Sequence, residues 1–125
     1  MQAAIQKALE TERVIDITTI GRKTGKSRRI EIWFHTVDGS IYITGTPGKR
    51  GWYANLVSNP DFTFHLKESI SVDIRATARP ITDVNERRTV LKKIVSSVDS
   101  RRKLDEWVAG SPLVEVTLHL DNVNV

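Results

Sequence analysis

Residues 45–60, with the sequence GTPGKRGWYANLVSNP, are the stretch around which the rest of the chain is organised. The stretch opens with a turn of small residues at 45–48 and continues with two cations, Lys49 and Arg50. A short helical pattern follows over residues 52–57, and the Asn-Pro pair after it ends the helix. The sequence therefore predicts a glycine-containing turn that leads directly into a short helix.

The chemistry of this stretch favours binding of an anion. Glycines let the main chain approach a ligand closely, and the free N–H groups of a first helical turn attract negative charge. Trp52 and Asn55 are three residues apart and share one face of the helix. We expect phosphate-binding groups beside a flat aromatic ring and a side-chain amide. The alternative is a surface loop followed by a tryptophan that packs in the core.

Alternating and β-branched patterns predict six strands around this stretch. They cover residues 13–20, 28–36, 41–44, 62–66, 70–79 and 113–120. Asp38-Gly39 is a strong signal for a hairpin between the second and third strands. Helical patterns cover 1–10 and 83–109, with a cap at Asp99-Ser100 dividing the second of them. Six antiparallel strands that must hide their edges favour a small closed barrel with helices at its openings, and an open α+β sandwich is the alternative.

Composition sets the protein class. At 125 residues the chain is expected to form one domain, 1–125, and its 39% hydrophobic and 27% charged content is typical of a soluble globular protein. No apolar run approaches the ~20 residues of a membrane span, and the N-terminus lacks the apolar region of a signal peptide, so a cytoplasmic protein is expected. There is no cysteine. The net charge of +4 favours an anionic partner, which could be a phosphorylated cofactor, nucleic acid or a membrane surface.

A second basic segment lies between the first two predicted strands. It places five cations in eight residues around Gly21 and Gly25: Arg22, Lys23, Lys26, Arg28 and Arg29. Turn N–H groups and fixed cations together can form a cradle for phosphate or carboxylate. A solvated charged face is the alternative. The segment is not a Walker A motif, because the glycine spacing and the following helix are missing.

Other site types find little support in the sequence. The three histidines, His35, His65 and His119, lie on different strands without partners at ligand spacing, so no metal site is expected and all three are predicted to be exposed. No nucleophilic triad is evident, which points to a cofactor as the reactive group of any enzyme. A barrel that binds nucleic acid through Trp33, Trp52, Tyr53 and the basic turns is an alternative. The aromatic residues are few and do not alternate with basic ones, so nucleic acid is not expected.

Two motifs resemble those of a known family. The segment TIGRKTGKSR at 19–28 is similar to T-x-G-R-K-[ST]-G-x-x-R, and WYANLVSNP at 52–60 matches W-Y-x-N-L-x-x-N-P. Both patterns are those of the deazaflavin (F420)-dependent nitroreductase family, which comprises split β-barrel flavin and deazaflavin proteins. The resemblance covers roughly residues 13–80, because the order, the spacing and the hairpin between the motifs agree. It implies a mainly β (α+β) fold, a six-stranded antiparallel split barrel of the FMN-binding type.

The resemblance also implies a cofactor site. Lys23, Thr24 and Arg28 would contact the phosphate and the acidic tail of coenzyme F420. Trp33, on the strand after the basic turn, would line the pocket.

The other implied cofactor residues come from the opening stretch. Thr46 and Gly48 would lie near the ring, and Lys49 would stand in for a lysine that the family has in this turn. Trp52 and Asn55 would position the cofactor from the short helix.

The implied activity is hydride transfer from C5 of reduced F420 to a quinone, an enone or a nitro compound. Thr46, or a backbone N–H near it, would be the catalytic donor to the acceptor oxygen. Residues 83–112 contain no tyrosine, whereas the nitroreductases of the family place tyrosines there; the aromatic residue here is Trp107. FMN is the alternative cofactor, a non-catalytic carrier of flavin, haem or lipid is the alternative function, and a homodimer is the expected assembly.

Overall fold

The computed structural model describes residues 2–95 and 101–122, and the side chains of this part except those of Arg101, Arg102 and Asn122. Its strands are β1 (Val14–Ile20), β2 (Ser27–Val37), β3 (Ser40–Thr44), β4 (Asp61–Leu66), β5 (Val72–Pro80) and β6 (Leu113–Leu118). Its helices are α1 (Gln2–Thr11), α2 (Gly51–Ser58), α3 (Val84–Val95) and α4 (Arg101–Gly110), with a 3₁₀ turn at Leu120–Asn122. In the described part of the chain, no helix is long and apolar enough to cross a membrane.

The six strands close into an antiparallel barrel in the order β1-β2-β3-β6-β5-β4. Closure comes from the pairing of β1 with β4, in which Ile17 lies opposite Phe64. A closed barrel leaves no strand edge unpaired, which is the physical reason for expecting it. The predicted barrel is confirmed, and the open sandwich is excluded.

The hairpin between β2 and β3 is confirmed in detail. Val37 pairs with Ser40, so the connection contains only two residues. The two loop residues, Asp38 and Gly39, have positive φ angles of 51° and 82°. This is the left-handed conformation that a two-residue loop requires when it joins right-twisted strands.

Two predicted boundaries were wrong. β5 begins at Val72 and not at residue 70. The turn before it is bonded to the end of α1 instead of to a strand, because the main-chain N–H of Ser69 donates to Glu12 Oε2 at 3.2 Å. β6 ends at Leu118, and Leu120 begins the 3₁₀ turn. The predicted cap at Asp99-Ser100 lies outside the described residues.

The barrel interior is apolar and includes one face of α1. Phe34 and Phe64 meet edge to face, with ring centroids 5.5 Å apart, and both side chains are buried. Ile5, Ala8 and Leu9 of α1 belong to the same cluster. Burial of these helical residues lets a ten-residue helix persist that would be marginal alone.

A second cluster joins α3 and α4 to the outside of the barrel. Tyr42, Ile81, Leu91, Val108 and Leu113 are all buried there. This packing places the end of α4 and the start of β6 next to the loop between β3 and α2. The candidate site lies at this junction.

Candidate functional site

The basic turn between β1 and β2 is a compact, self-bonded loop. Gly21 N–H donates to Lys26 O and Gly25 N–H donates to Gly21 O, both at 2.8 Å. Lys26 N–H donates to Thr24 Oγ1 at 3.2 Å. A Cβ at Gly21 would lie 2.7 Å from Thr24 Oγ1, so any other residue here would force the Thr24 side chain to move. The turn therefore presents its cations from a defined main chain.

Asn55 connects this turn to α2. Its Nδ2 donates to Thr19 Oγ1 at 3.1 Å, and its Oδ1 accepts from the main-chain N–H of Arg22 at 3.1 Å. The asparagine is only 6% exposed. A buried amide with both polar atoms engaged is a strong constraint, because breaking either bond leaves an unpaired group. The basic turn and the first turns of α2 are thus held in one arrangement.

The space between them, here called the basic cleft, has a volume of about 730 Å³. Its lining comprises Thr19, Gly21, Arg22, Lys23, Thr24, Lys26, Ser27, Arg28, Ile30, Gly51, Trp52 and Asn55. Five residues predicted to bind the cofactor are brought together here: Lys23, Thr24, Arg28, Trp52 and Asn55. The two motifs, which begin 33 residues apart in the sequence, therefore form one surface.

The cations of the basic cleft have no acidic neighbours among the described residues. The lining contains no aspartate or glutamate, and Lys23, Lys26 and Arg28 form no ion pair in the described part of the chain. Elsewhere the pattern differs: Arg29 pairs with Asp16 at 2.9 Å, and Arg79 pairs with Glu86 at 2.6 Å. Unpaired cations of one sign in a cleft give it a positive potential, and this attracts anionic ligands.

A second cleft of about 700 Å³, here called the helix cleft, adjoins the first. It lies between the loop before α2 and the α4–β6 junction, and it shares Arg22 and Gly51 with the basic cleft. Gly48 and Lys49 line it. Thr46 is exposed beside it. The structure thus divides seven of the nine predicted site residues between two adjoining clefts.

Trp33 lies in neither cleft. It is 58% exposed on β2, where Ile30 and Phe34 face the opposite way. The strand period of two puts Trp33 on the outer wall of the barrel. A role in lining the pocket stays a prediction that this position does not favour.

The loop before α2 is shaped by Arg50. Its Nη2 donates to the carbonyl oxygen of Thr46 at 3.1 Å and to Thr46 Oγ1 at 2.9 Å, and its Nη1 donates to Lys49 O at 3.2 Å. Gly48 has a φ of 136°, and a Cβ there would lie 3.0 Å from Arg50 Nη1. The main-chain N–H of Gly48 donates to Gly110 O at 3.0 Å. The sequence suggested Arg50 as an anion-attracting cation, but its guanidinium is largely engaged by its own loop.

Arg87, on α3, was not identified from the sequence. Its guanidinium donates to four main-chain carbonyls: those of Ile81, Trp107, Val108 and Ser111, at 2.6–3.2 Å. These bonds fix the wall of the helix cleft. No sequence signal marks this arginine, because three of its four partners lie 20–24 residues further along the chain.

The predicted exposure of the histidines was wrong for His65, which is 5% exposed. Its Nδ1 is 2.7 Å from Asp73 Oδ1 and its Nε2 is 2.7 Å from Thr18 Oγ1, so strands on both sides cover the ring. His35 is half-buried, and burial, reinforced by Arg13, lowers its pKa. His119 is exposed. Across the described residues, no cluster of His, Asp or Glu could hold a metal ion.

A family model described as F420H(2)-dependent quinone reductase matches residues 1–109. The chain belongs to this family. The resemblance to deazaflavin proteins inferred from the two motifs is confirmed, and coenzyme F420 is the cofactor that the family description assigns.

Solved structures similar to this F420H(2)-dependent quinone reductase family member show the same fold. An F420 reductase has a TM-score of 0.66 at 16% identity, with 91% of this chain and 92% of that chain covered. A candidate pyridoxamine 5′-phosphate oxidase from Listeria innocua has a TM-score of 0.74 at 11% identity, covering 98% and 95%. A conserved hypothetical protein from Mycobacterium tuberculosis has a TM-score of 0.71 at 16% identity, covering 95% and 81%. At these identities the likeness is one of fold alone.

The residues present fit a cofactor with a phosphorylated, acidic tail. The basic cleft offers unpaired cations, a tight turn and the face of Trp52, with no carboxylate among its described lining residues to repel an anion. The helix cleft continues from it and is closed on one side by the loop before α2. A long molecule with an anionic end and a flat ring could occupy both clefts.

Proposed function

We propose that the protein transfers a hydride from C5 of reduced F420 to a small electrophilic acceptor, with a quinone as the first candidate and an enone or nitro compound as others. The observation that carries the proposal is the meeting of the two clefts at Arg22 and Gly51. One cleft is suited to an anionic tail and the other to a flat ring and its reaction partner.

In the basic cleft, Lys23, Lys26 and Arg28 bind the phosphate and carboxylate groups of the tail. Arginine is suited to this role because its planar guanidinium binds such oxyanions through two parallel bonds. Thr24 contributes a hydroxyl whose oxygen already accepts a bond from Lys26 N–H. That bond leaves the hydroxyl proton free to donate to a phosphate oxygen.

At the junction of the clefts, α2 supplies main-chain donors. No side chain caps its N-terminus, where Arg50 is the N-cap residue. The N–H groups of the first turn are therefore available to a ligand, and Gly51 allows it close approach. Trp52 offers an aromatic face on the basic-cleft side of this turn.

In the helix cleft, Lys49 and the loop at Thr46 face the developing negative charge on the acceptor oxygen. Stabilisation of such charge by preorganised donors is often the largest protein contribution to a reaction of this kind. Arg50 holds the loop at Thr46 in place before any ligand binds. No protein side chain has to act as a nucleophile, because the cofactor supplies the reacting group.

A titration of the purified protein with oxidised F420 and, in parallel, with FMN tests this proposal. We expect F420 to bind at micromolar concentration or tighter, and more weakly as salt is raised, because ionic contacts are screened. Arg28→Glu and Trp52→Ala are each expected to weaken F420 binding roughly tenfold or more. Lys92→Glu, at an exposed site on α3, makes the same charge change away from the clefts and should leave the affinity unchanged.

The outcomes separate the alternatives. Binding of FMN alone would assign the clefts to a flavin phosphate. Unchanged F420 affinity in both variants would remove the proposed site. Turnover is decided separately, by mixing reduced F420 with menadione and following the return of oxidised F420; binding without turnover would indicate a carrier.

A further inference from the structure

Two buried hydroxyl groups lie near the junction of α4 and β6, and only one of them has a hydrogen-bond partner. Thr44 Oγ1 donates to the carbonyl oxygen of Pro112 at 2.6 Å. Ser111, the residue before Pro112, is only 4% exposed, and its Oγ has no hydrogen-bond partner among the described residues. Buried polar side-chain atoms without partners are uncommon, and each one calls for an explanation.

The main chain of Ser111 is held firmly. Its N–H donates to Trp107 O at 2.9 Å, and its carbonyl oxygen accepts from Arg87 Nη2 at 2.6 Å. Rotation about the Cα–Cβ bond is therefore the adjustment that can reorient Oγ without breaking either bond. The serine is a fixed main-chain position that carries one adjustable hydroxyl.

Ser111 also lines the helix cleft, together with Gly48, Lys49 and Arg50. If packing alone governed this position, alanine would fill it without an unpaired polar atom, and the fold would be more stable. A serine at this position is explained if a bound molecule supplies the missing partner. A hydroxyl can donate one hydrogen bond, and a carbonyl oxygen can accept hydrogen bonds but cannot donate them.

We infer that the Ser111 hydroxyl is a ligand-binding group of the helix cleft, and that it donates a hydrogen bond to a ring carbonyl oxygen of the molecule bound there. This inference rests on the proposed function and adds a residue to its site. Both the F420 ring and a quinone carry such an oxygen, so the experiment has one arm for each.

The test compares wild type, Ser111→Ala and Thr44→Val. Without ligand, Ser111→Ala should have a melting temperature equal to or above that of wild type, because an unpaired buried group is removed. Thr44→Val, which removes a partnered hydroxyl and leaves Pro112 O unpaired, should melt at a lower temperature. With ligand, Ser111→Ala should weaken binding of either oxidised F420 or menadione roughly two- to tenfold, each titrated separately.

Each result decides the inference. Weaker F420 binding assigns the hydrogen bond to the cofactor ring, and weaker menadione binding assigns it to the acceptor. The inference is overturned if both affinities are unchanged, or if Ser111→Ala loses as much stability as Thr44→Val, since the hydroxyl would then have an internal role. Binding of menadione but not of F420 to wild type would end the proposed function and still decide the Ser111 hydrogen bond. Binding of neither would overturn both.

Discussion

The side-chain oxygen of Asn55 accepts a hydrogen bond from the main-chain N–H of Arg22 at 3.1 Å, and this bond fastens α2 to the basic turn. The amide nitrogen of the same side chain donates to Thr19 Oγ1 at 3.1 Å. The family resemblance implied that Asn55 positions the cofactor. The structure shows an asparagine whose two polar atoms are engaged within the protein, so part of its effect on cofactor binding is expected to pass through the turn that it holds.

Asn55→Ala should therefore reduce both stability and binding. The substitution leaves Arg22 N–H without its partner, and we expect the free energy of unfolding to fall by about 1–3 kcal/mol. F420 should bind more weakly, because the cations of the turn lose their fixed position. Urea denaturation and F420 titration measure the two effects.

Asn59→Ala is the control for this substitution. The Asn59 side chain accepts one 3.3 Å bond from Asp61 N–H in an exposed setting, so its loss should matter little. An Asn55→Ala protein that keeps wild-type affinity would show that the turn does not need this anchor.

Gly51→Ala should keep or slightly raise the stability of the protein but weaken F420 binding. A Cβ at Gly51 would meet no atom within 4 Å, so alanine at this first helical position should leave stability unchanged or raise it slightly. The added methyl group lies where the two clefts meet, so F420 binding should weaken. Thermal unfolding and F420 titration test this pair of effects, and an affinity equal to wild type would mean that the ligand does not cross the junction.

Thr46→Val should slow the reaction without weakening cofactor binding. Thr46 Oγ1 accepts from Arg50, which leaves the hydroxyl proton free to donate to an acceptor oxygen. Loss of one such donor should lower the rate of menadione reduction about tenfold or more, as measured in single-turnover experiments with reduced F420. Thr89→Val, on the exposed side of α3, is the control, and equal rates in all three proteins would remove Thr46 from the mechanism.

Asp16→Asn should lower stability at neutral pH but not in acid. The hydrogen bond from Lys67 at 2.7 Å, helped by Arg29, holds the pKa of Asp16 below its ordinary value, although partial burial opposes the shift. The stability that this carboxylate contributes is present above its unfolded-state pKa of about 3.9 and is lost as pH falls through the folded-state pKa. Urea midpoints should therefore differ between wild type and Asp16→Asn at pH 7, and the difference should shrink at acid pH, below about 4.

Asp121→Asn provides the comparison for the pH experiment. Asp121 is exposed, so its replacement should change the urea midpoint little at either pH. A constant difference between wild type and Asp16→Asn across this range would show that the ion pairs with Lys67 and Arg29 do not stabilise the fold.

Local patterns were sufficient for most of the fold. Alternation of apolar residues located the strands, Asp38-Gly39 gave the hairpin, and the segment before Asn59-Pro60 gave α2, because each of these signals acts over a few neighbouring residues. One of the two boundaries that failed, the start of β5, depended on a distant partner. The turn before β5 is tied by Glu12, 57 residues away along the chain.

The candidate site also combines features set by neighbouring residues with features set by distant partners. The sequence determined that cations and glycines lie in one turn and that Trp52 follows another. Only the tertiary structure decided which of two adjacent arginines stays available. Arg29, on β2, pairs with Asp16 of the neighbouring strand β1, while Arg28 lines the basic cleft unpaired among the described residues. It also decided that His65 is buried, that Arg87 supports a cleft wall and that Ser111 has a hydroxyl without a partner. Hydrogen bonding and burial depend on groups that meet only when the barrel closes, so no local pattern could reveal them.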